Sequence, residues 1–250
     1  MRSLLSLRIV IVCLLLSASL PVSAQIPDEF TNLQVLPKQS SKRELMGTMR
    51  GFATGLGVRC THCHVGEDKP GFEGFDFASD AKKPKQTARA MLRMVQQING
   101  TLLPKAGVPE TARVECSTCH RGIQRPLRLV DVMLDEVSTS DVDSAVTRYR
   151  ELRAKHYGSA AYDFSPASLT EVSETLAATD LDAALAMIRL NLEFDPDVAY
   201  SRLVEAQILL FKGETEAGFA AIQKAIDLEP DNPLYTKQLE RARQQFGSDE

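Results

Sequence analysis

Two short runs hold the residues best suited to chemistry, Cys60-Thr61-His62-Cys63-His64 and Cys116-Ser117-Thr118-Cys119-His120. Both read Cys-x-x-Cys-His. Thiols three positions apart stand about one helical turn from each other, on one side of the chain. They can add to the two vinyl groups of one porphyrin, and the histidine that follows supplies an imidazole to its iron. Cys-x-x-Cys by itself also binds zinc or exchanges disulfides, and unoccupied pairs close into disulfides in an oxidising compartment. Neither use requires a histidine directly after each pair. The pattern predicts two covalently bound haem c groups. Cys60, Cys63, Cys116 and Cys119 would be the attachment residues, and His64 and His120 the proximal iron ligands.

A sixth iron ligand is sought among methionines. A thioether is soft and neutral, so it stabilises ferrous iron and raises the potential. Met49 lies upstream of Cys60, and Met94 upstream of Cys116. A methionine stripe is ordinarily core packing. Here there are four histidines in all, two of them proximal ligands, so other distal candidates are few. Met49 and Met94 are expected ahead of Met46 and Met91, one turn earlier. His62 is read as filler between the cysteines, and His156 as an exposed histidine at a helix end.

These residues need elements to carry them. Ser41 and Glu44 form a capping box for a helix whose apolar stripe is Met46, Met49, Phe52, Ala53 and Leu56, with Gly57 as its C-terminal cap. The first attachment turn follows at once, so this methionine helix is expected against the first haem. Residues 65–84 are polar and glycine-containing and read as a loop. A second helix is expected over residues 85–103, with Met91, Met94, Val95, Ile98 and Leu102 on its apolar face. A Gly/Pro-rich link over residues 104–109 leads to the second motif.

Upstream, residues 1–24 have a basic start at Arg2 and Arg8, eight apolar residues from 9 to 16, and Val22-Ser23-Ala24. This reads as a cleavable export signal; the apolar run is too short to span a bilayer. It would remove Cys13 and leave the four motif cysteines. The expected location is the periplasm, or another compartment outside the cytoplasm. Residues 25–130 hold 16 Lys+Arg and 10 Asp+Glu, while residues 131–250 hold 11 and 23. The charge changes sign from +6 to −12 across that point, which places a domain boundary there. Neither half has the basic cluster of a nucleic-acid binder.

The haem half resembles the photosynthetic reaction-centre cytochrome c subunit family over residues 30–126. The resemblance is carried by Asn32-Leu33-Gln34-Val35-Leu36, Phe77-Ala78-Ser79-Asp80, Ala88-Arg89 with Met91 and Met94, Ile98-Asn99, and Cys116-Ser117-Thr118-Cys119-His120-Arg121-Gly122. It implies that each haem is carried by a helix, a turn and an attachment motif, with a methionine of that helix as sixth ligand to most haems. By position those are Met49 and Met94. The family carries four haems in two related halves; this chain has one half, followed by an acidic segment. The resemblance implies haem chemistry, and no residue here implies bacteriochlorophyll proteins.

In the acidic half a helix is expected over residues 138–155, capped by Ser138 or Ser140, as part of a helical linker over residues 131–165. From residue 166 an internal repeat appears. Leu192-Glu193-Phe194-Asp195-Pro196-Asp197 aligns with Ile226-Asp227-Leu228-Glu229-Pro230-Asp231 at an offset of 34 residues. That is the tetratricopeptide period. Stacked helical hairpins of this kind bury their faces against each other and can offer a groove to a protein partner.

The sequence thus predicts an all-α, two-domain, exported dihaem cytochrome that passes single electrons between donor and acceptor redox proteins and is not an enzyme. Two rivals belong to other classes. A dihaem peroxidase needs an open iron position with acid–base groups above it. A haem-based sensor or scaffold would use the repeats to signal to a partner.

Overall fold

The computed structural model describes residues 26–247. The expected export signal, with Cys13, lies outside them. The fold is all-α: no strand occurs among the described residues, and Val65 and Asp76 form an isolated antiparallel bridge. No described helix is long and apolar enough to cross a membrane.

Helix α1 spans Lys42–Leu56. It starts at a reciprocal cap: the Ser41 N–H donates to Glu44 Oε2 at 2.8 Å, and the Glu44 N–H donates to Ser41 Oγ at 3.3 Å. Gly57 ends it with φ +63°, a backbone state glycine enters without steric cost. Helix α2 spans Lys83–Gln97, with a proline in its first turn. It does not run on unbroken, as the apolar stripe suggested. A π turn occupies Ile98–Leu102, and α3 is a single turn over Leu103–Lys105. Pro104 has no N–H to give the carbonyl four residues back, so the ladder widens there.

The chain divides into two compact units. One comprises residues to Gly47 together with Arg59–Ala112; the other comprises Thr48–Val58 together with everything from Arg113. In the first unit, Leu45 alone among the described apolar residues is fully buried. Its order comes from polar bonds and an aromatic cluster, in which the Phe72, Phe75 and Phe77 rings lie 5.1–5.8 Å apart.

The second unit contains α4 (Cys116–His120) and the C-terminal helices α5 (Leu129–Thr139), α6 (Val142–His156), α7 (Pro166–Leu176), α8 (Leu181–Phe194), α9 (Ala199–Phe211), α10 (Thr215–Leu228) and α11 (Pro233–Phe246). The helix expected over 138–155 is α6, which starts at Val142, while Ser138 and Thr139 close α5. Ser140 breaks the run, and the Asp141 carboxylate caps α6 by accepting from the Ser144 N–H at 2.6 Å. An aspartate with its charge engaged is at least as good a cap as the serines. Leu129, Val130 and Met133 of α5 are buried with Tyr149, Leu152, Leu169 and Met187. Within the segment expected as a helical linker, Met133, Tyr149 and Leu152 are core residues.

A second apolar cluster joins α8 to α11 through Ile188, Leu203, Ile208, Ile222 and Leu239. Helices α8 and α10 start and end 34 residues apart, and α9 and α11 start 34 apart. One buried polar group crosses this apolar stack. Asn191 Nδ2 lies within 2.9–3.1 Å of the Pro166 carbonyl, Thr170 Oγ1 and Ser201 Oγ, which ties α7, α8 and α9 at one fixed register. Unpaired, such a group would cost roughly 1–3 kcal/mol.

Candidate functional site

The first motif winds into a tight turn. Cys60–His62 is a 3-10 helix, and the Cys60 carbonyl accepts from the Cys63 N–H at 3.2 Å and the His64 N–H at 3.0 Å. The turn brings Cys60, Cys63 and His64 to neighbouring positions. Burial raises the Cys63 thiol above its ordinary value, against the pull of the Lys82 ammonium. Burial and then the Lys85 ammonium hold His64 below the ordinary imidazole value, against the pull of the Phe77 carbonyl. The ring is therefore held neutral, the form that ligates metal. Its edge faces the Phe77 ring at 5.2 Å and 69°.

The second motif is a short helix, α4. Glu115 caps it, and the Glu115 N–H donates to Thr118 Oγ1 at 2.9 Å. The chain then leaves through two left-handed residues, Arg121 (φ 50°) and Gly122 (φ 87°). That exit carries the Ile123 carbonyl back to 3.0 Å from His120 Nδ1. A proton on Nδ1 bonded to this carbonyl leaves the Nε2 lone pair free to ligate, the arrangement that orients metal-ligating histidines. Ile123 is itself buried, which fixes the carbonyl. Burial also raises the Cys116 thiol.

The last turn of α1 packs against this second motif. The Gly55 carbonyl accepts from the Gly122 N–H at 2.9 Å. A Cβ on Gly55 would lie 3.3 Å from the Ser117 nitrogen and 3.4 Å from Cys116 Cβ. Helix α1 leads along the chain into the first motif, as expected, while its end is seated on the second. Sequence order alone could not reveal this. The glycines at 55 and 57 were its one legible trace, since they allow close backbone approach.

Of the expected ligands, Cys60, Cys63, His64 and Met94 belong to the first unit, and Cys116, Cys119, His120 and Met49 to the second. Met46 and Met49 are half-buried. Met91 is 36% exposed and Met94 44%. His62 is half-buried within the first turn. His156 packs edge-on against Tyr162 at 5.5 Å.

Sequence reasoning did not single out Lys82, Lys85 or the Ile123 carbonyl. Phe77, Asp80 and Arg89 appeared only as residues of the resemblance. Lys85 and Arg89, four apart on one helix and close after an aspartate, are the signal that could have found the cluster.

The residues fit haem c. Each turn offers two thiols and an imidazole in the order the covalent linkage needs. Around the first, a buried imidazole nitrogen, His64 Nδ1, has no hydrogen-bond partner, and large apolar side chains stand exposed on the following helices at Met91, Met94 and Leu102. A structural zinc site needs four converging ligands; among the described residues no group of three His, Cys, Asp or Glu could hold a metal ion.

A family model described as "Photosynthetic reaction centre cytochrome C subunit" matches residues 17–167. The chain is 31% identical over 122 residues to the photosynthetic reaction center cytochrome c subunit of Rubrivivax gelatinosus, covering 40% of this chain and 31% of the relative. It is 34% identical over 90 residues to cytochrome c-554 of Chloroflexus aurantiacus, covering 36% of this chain and 20% of the relative. The chain spans less than a third of the length of either.

Proposed function

The chain belongs to the photosynthetic reaction centre cytochrome C subunit family, which implies covalently bound haem c, and on that premise we propose that it is an exported dihaem cytochrome that carries single electrons between redox proteins. Cys60 and Cys63 hold one haem with His64 as proximal ligand; Cys116 and Cys119 hold the other with His120. Met49 and Met94 are the sixth ligands. The haems supply reversible one-electron chemistry at iron.

The protein's part is positioning. Hydrogen bonding between the Ile123 carbonyl and His120 Nδ1 is the observation that carries the reading, because it orients the imidazole for a metal. The buried ring of His64 is held instead by its edge-on contact with the Phe77 ring. Thioether ligands from Met49 and Met94 would leave no open position for small molecules, so little would rearrange on electron transfer.

Helices α7 to α11, with their 34-residue spacing, support the reading of a tetratricopeptide-like domain that docks a protein partner. The acidic excess of residues 131–250 suits a redox partner with a basic face.

Mass spectrometry of the purified exported protein tests the attachment. The expected mass carries two haem additions that survive acid–acetone extraction. A mass without them overturns the reading. Unchanged spectra when CO is added to the ferrous protein distinguish the carrier from a peroxidase or a gas sensor.

A further inference from the structure

Asp80 gathers the charges of the first unit. Its Oδ2 lies 2.8 Å from Arg89 Nη1 and accepts from Gln34 Nε2 at 3.2 Å. Its Oδ1 lies 3.2 Å from Lys85 Nζ and accepts from Asn32 Nδ2 at 3.0 Å. The Lys85 and Arg89 side chains are only 11% and 12% exposed, so both cations are held largely out of water. Lys85 Nζ also donates to the Phe77, Ala78 and Ser79 carbonyls at 2.9, 3.0 and 2.8 Å. That clamps the strand of chain whose Phe77 ring abuts His64. Lys82 donates to the Thr61 carbonyl, inside the attachment turn itself.

Three cations are thus pinned by backbone carbonyls and one carboxylate around the first Cys-x-x-Cys-His turn. We propose that Lys85 and Arg89, held in place by Asp80, and Lys82, held by the Thr61 carbonyl, are positioning residues that fix Phe77 against His64 and raise the reduction potential of the haem at Cys60 and Cys63; this rests on the attachment proposed above. The physical reason is charge. Ferric haem carries one more positive charge than ferrous, so fixed cations in a poorly solvated site disfavour the oxidised state. Asp80 offsets part of that field while holding the cations in place.

The two signs separate this from a merely structural role. In an optical redox titration of the full-length haem protein, Lys85→Met should lower one wave by at least threefold in its reduction equilibrium constant, about 28 mV at ~59 mV per tenfold for one electron. Asp80→Asn should move the same wave upward. Lys85→Arg should leave it within about twofold, and the other wave should stay put in all three. Lys82→Gln lies outside the Asp80 cluster and should also lower that wave, which keeps the test open if the cluster variants fail to load haem. Shifts in the same direction for Lys85→Met and Asp80→Asn, or an unmoved wave in Lys85→Met and Lys82→Gln, would overturn the cradle. A wild-type mass without haem additions would instead overturn the attachment itself, and the cradle with it.

Discussion

Gly57 and Gly122 meet backbone to backbone: a Cβ on Gly57 would stand 2.0 Å from the Gly122 carbonyl oxygen. This contact seats the end of α1 on the second attachment turn, and Gly122 returns the bond by donating its N–H to the Gly55 carbonyl. Both residues are left-handed, with φ +63° and +87°. Any other L-residue there pays roughly 1–2 kcal/mol. A Cβ on Gly122 meets nothing within 4 Å, so Gly122→Ala should cost about that much. Gly57→Ala adds a clash with backbone, and should cost clearly more. Paired thermal melts check the order, and equal losses would mean that the contact is not close in solution.

Met49→Ala and Met94→Ala should each abolish one haem's thioether absorption at the red edge of the ferric spectrum. Each should also lower that haem's potential, since a weaker sixth ligand stabilises ferrous iron less. Met46→Ala and Met91→Ala should leave both signals in place. If they remove them instead, the ligands sit one turn earlier on each helix.

Asp80 governs an acid-dependent part of the stability. Its carboxyl is held well below the usual carboxylate range, first by its bond with Arg89 and then by those with Lys85 and Asn32, against some burial. A folded value below the unfolded one means that the contribution is fully present above about pH 4, the ordinary aspartate value. It is lost as pH falls through the depressed value. In denaturant melts, wild type should exceed Asp80→Asn at pH 7, and the gap should close only in strong acid. A gap that closed with rising pH would contradict the assignment.

Leu129 is 1% exposed in the core shared by α5, α6 and α7. Leu129→Ala should destabilise the C-terminal helices by about 2–5 kcal/mol. A fragment starting at residue 124 should form a cooperative helical fold, and one starting at residue 140 should melt lower or broadly, as followed by circular dichroism.

The acidic helices should steer a basic redox partner. Residues 131–250 carry 23 Asp+Glu against 11 Lys+Arg, and such fields fade once the screening length reaches about 8–10 Å near physiological salt. Electron-transfer rates with a cationic partner should fall severalfold between low and physiological ionic strength. A flat salt dependence in stopped-flow measurements would mean that this surface plays no part in the encounter.

The sequence by itself determined the chemistry and the helical class. Cys-x-x-Cys-His is a local pattern, because its thiols and imidazole act within a single turn of chain, and five residues suffice to specify that turn. The Ser41–Glu44 cap and the Gly57 stop were legible for the same reason: the bonding partners lie within three or four positions. The 34-residue offset was legible because repeated helices repeat their packing residues. Tertiary structure alone decided what non-local contacts determine. It moved the cap of the helix expected over 138–155 to Asp141, and it buried Leu129 and Met133 of α5 in one cluster with Tyr149, Leu169 and Met187, which lie 16 or more residues away. It also turned Asn32, Gln34, Asp80, Lys85 and Arg89 from scattered polar residues into one cluster beside His64. No periodicity announces a bond that spans 46 or 48 residues; it exists only where the folded backbone brings its ends together.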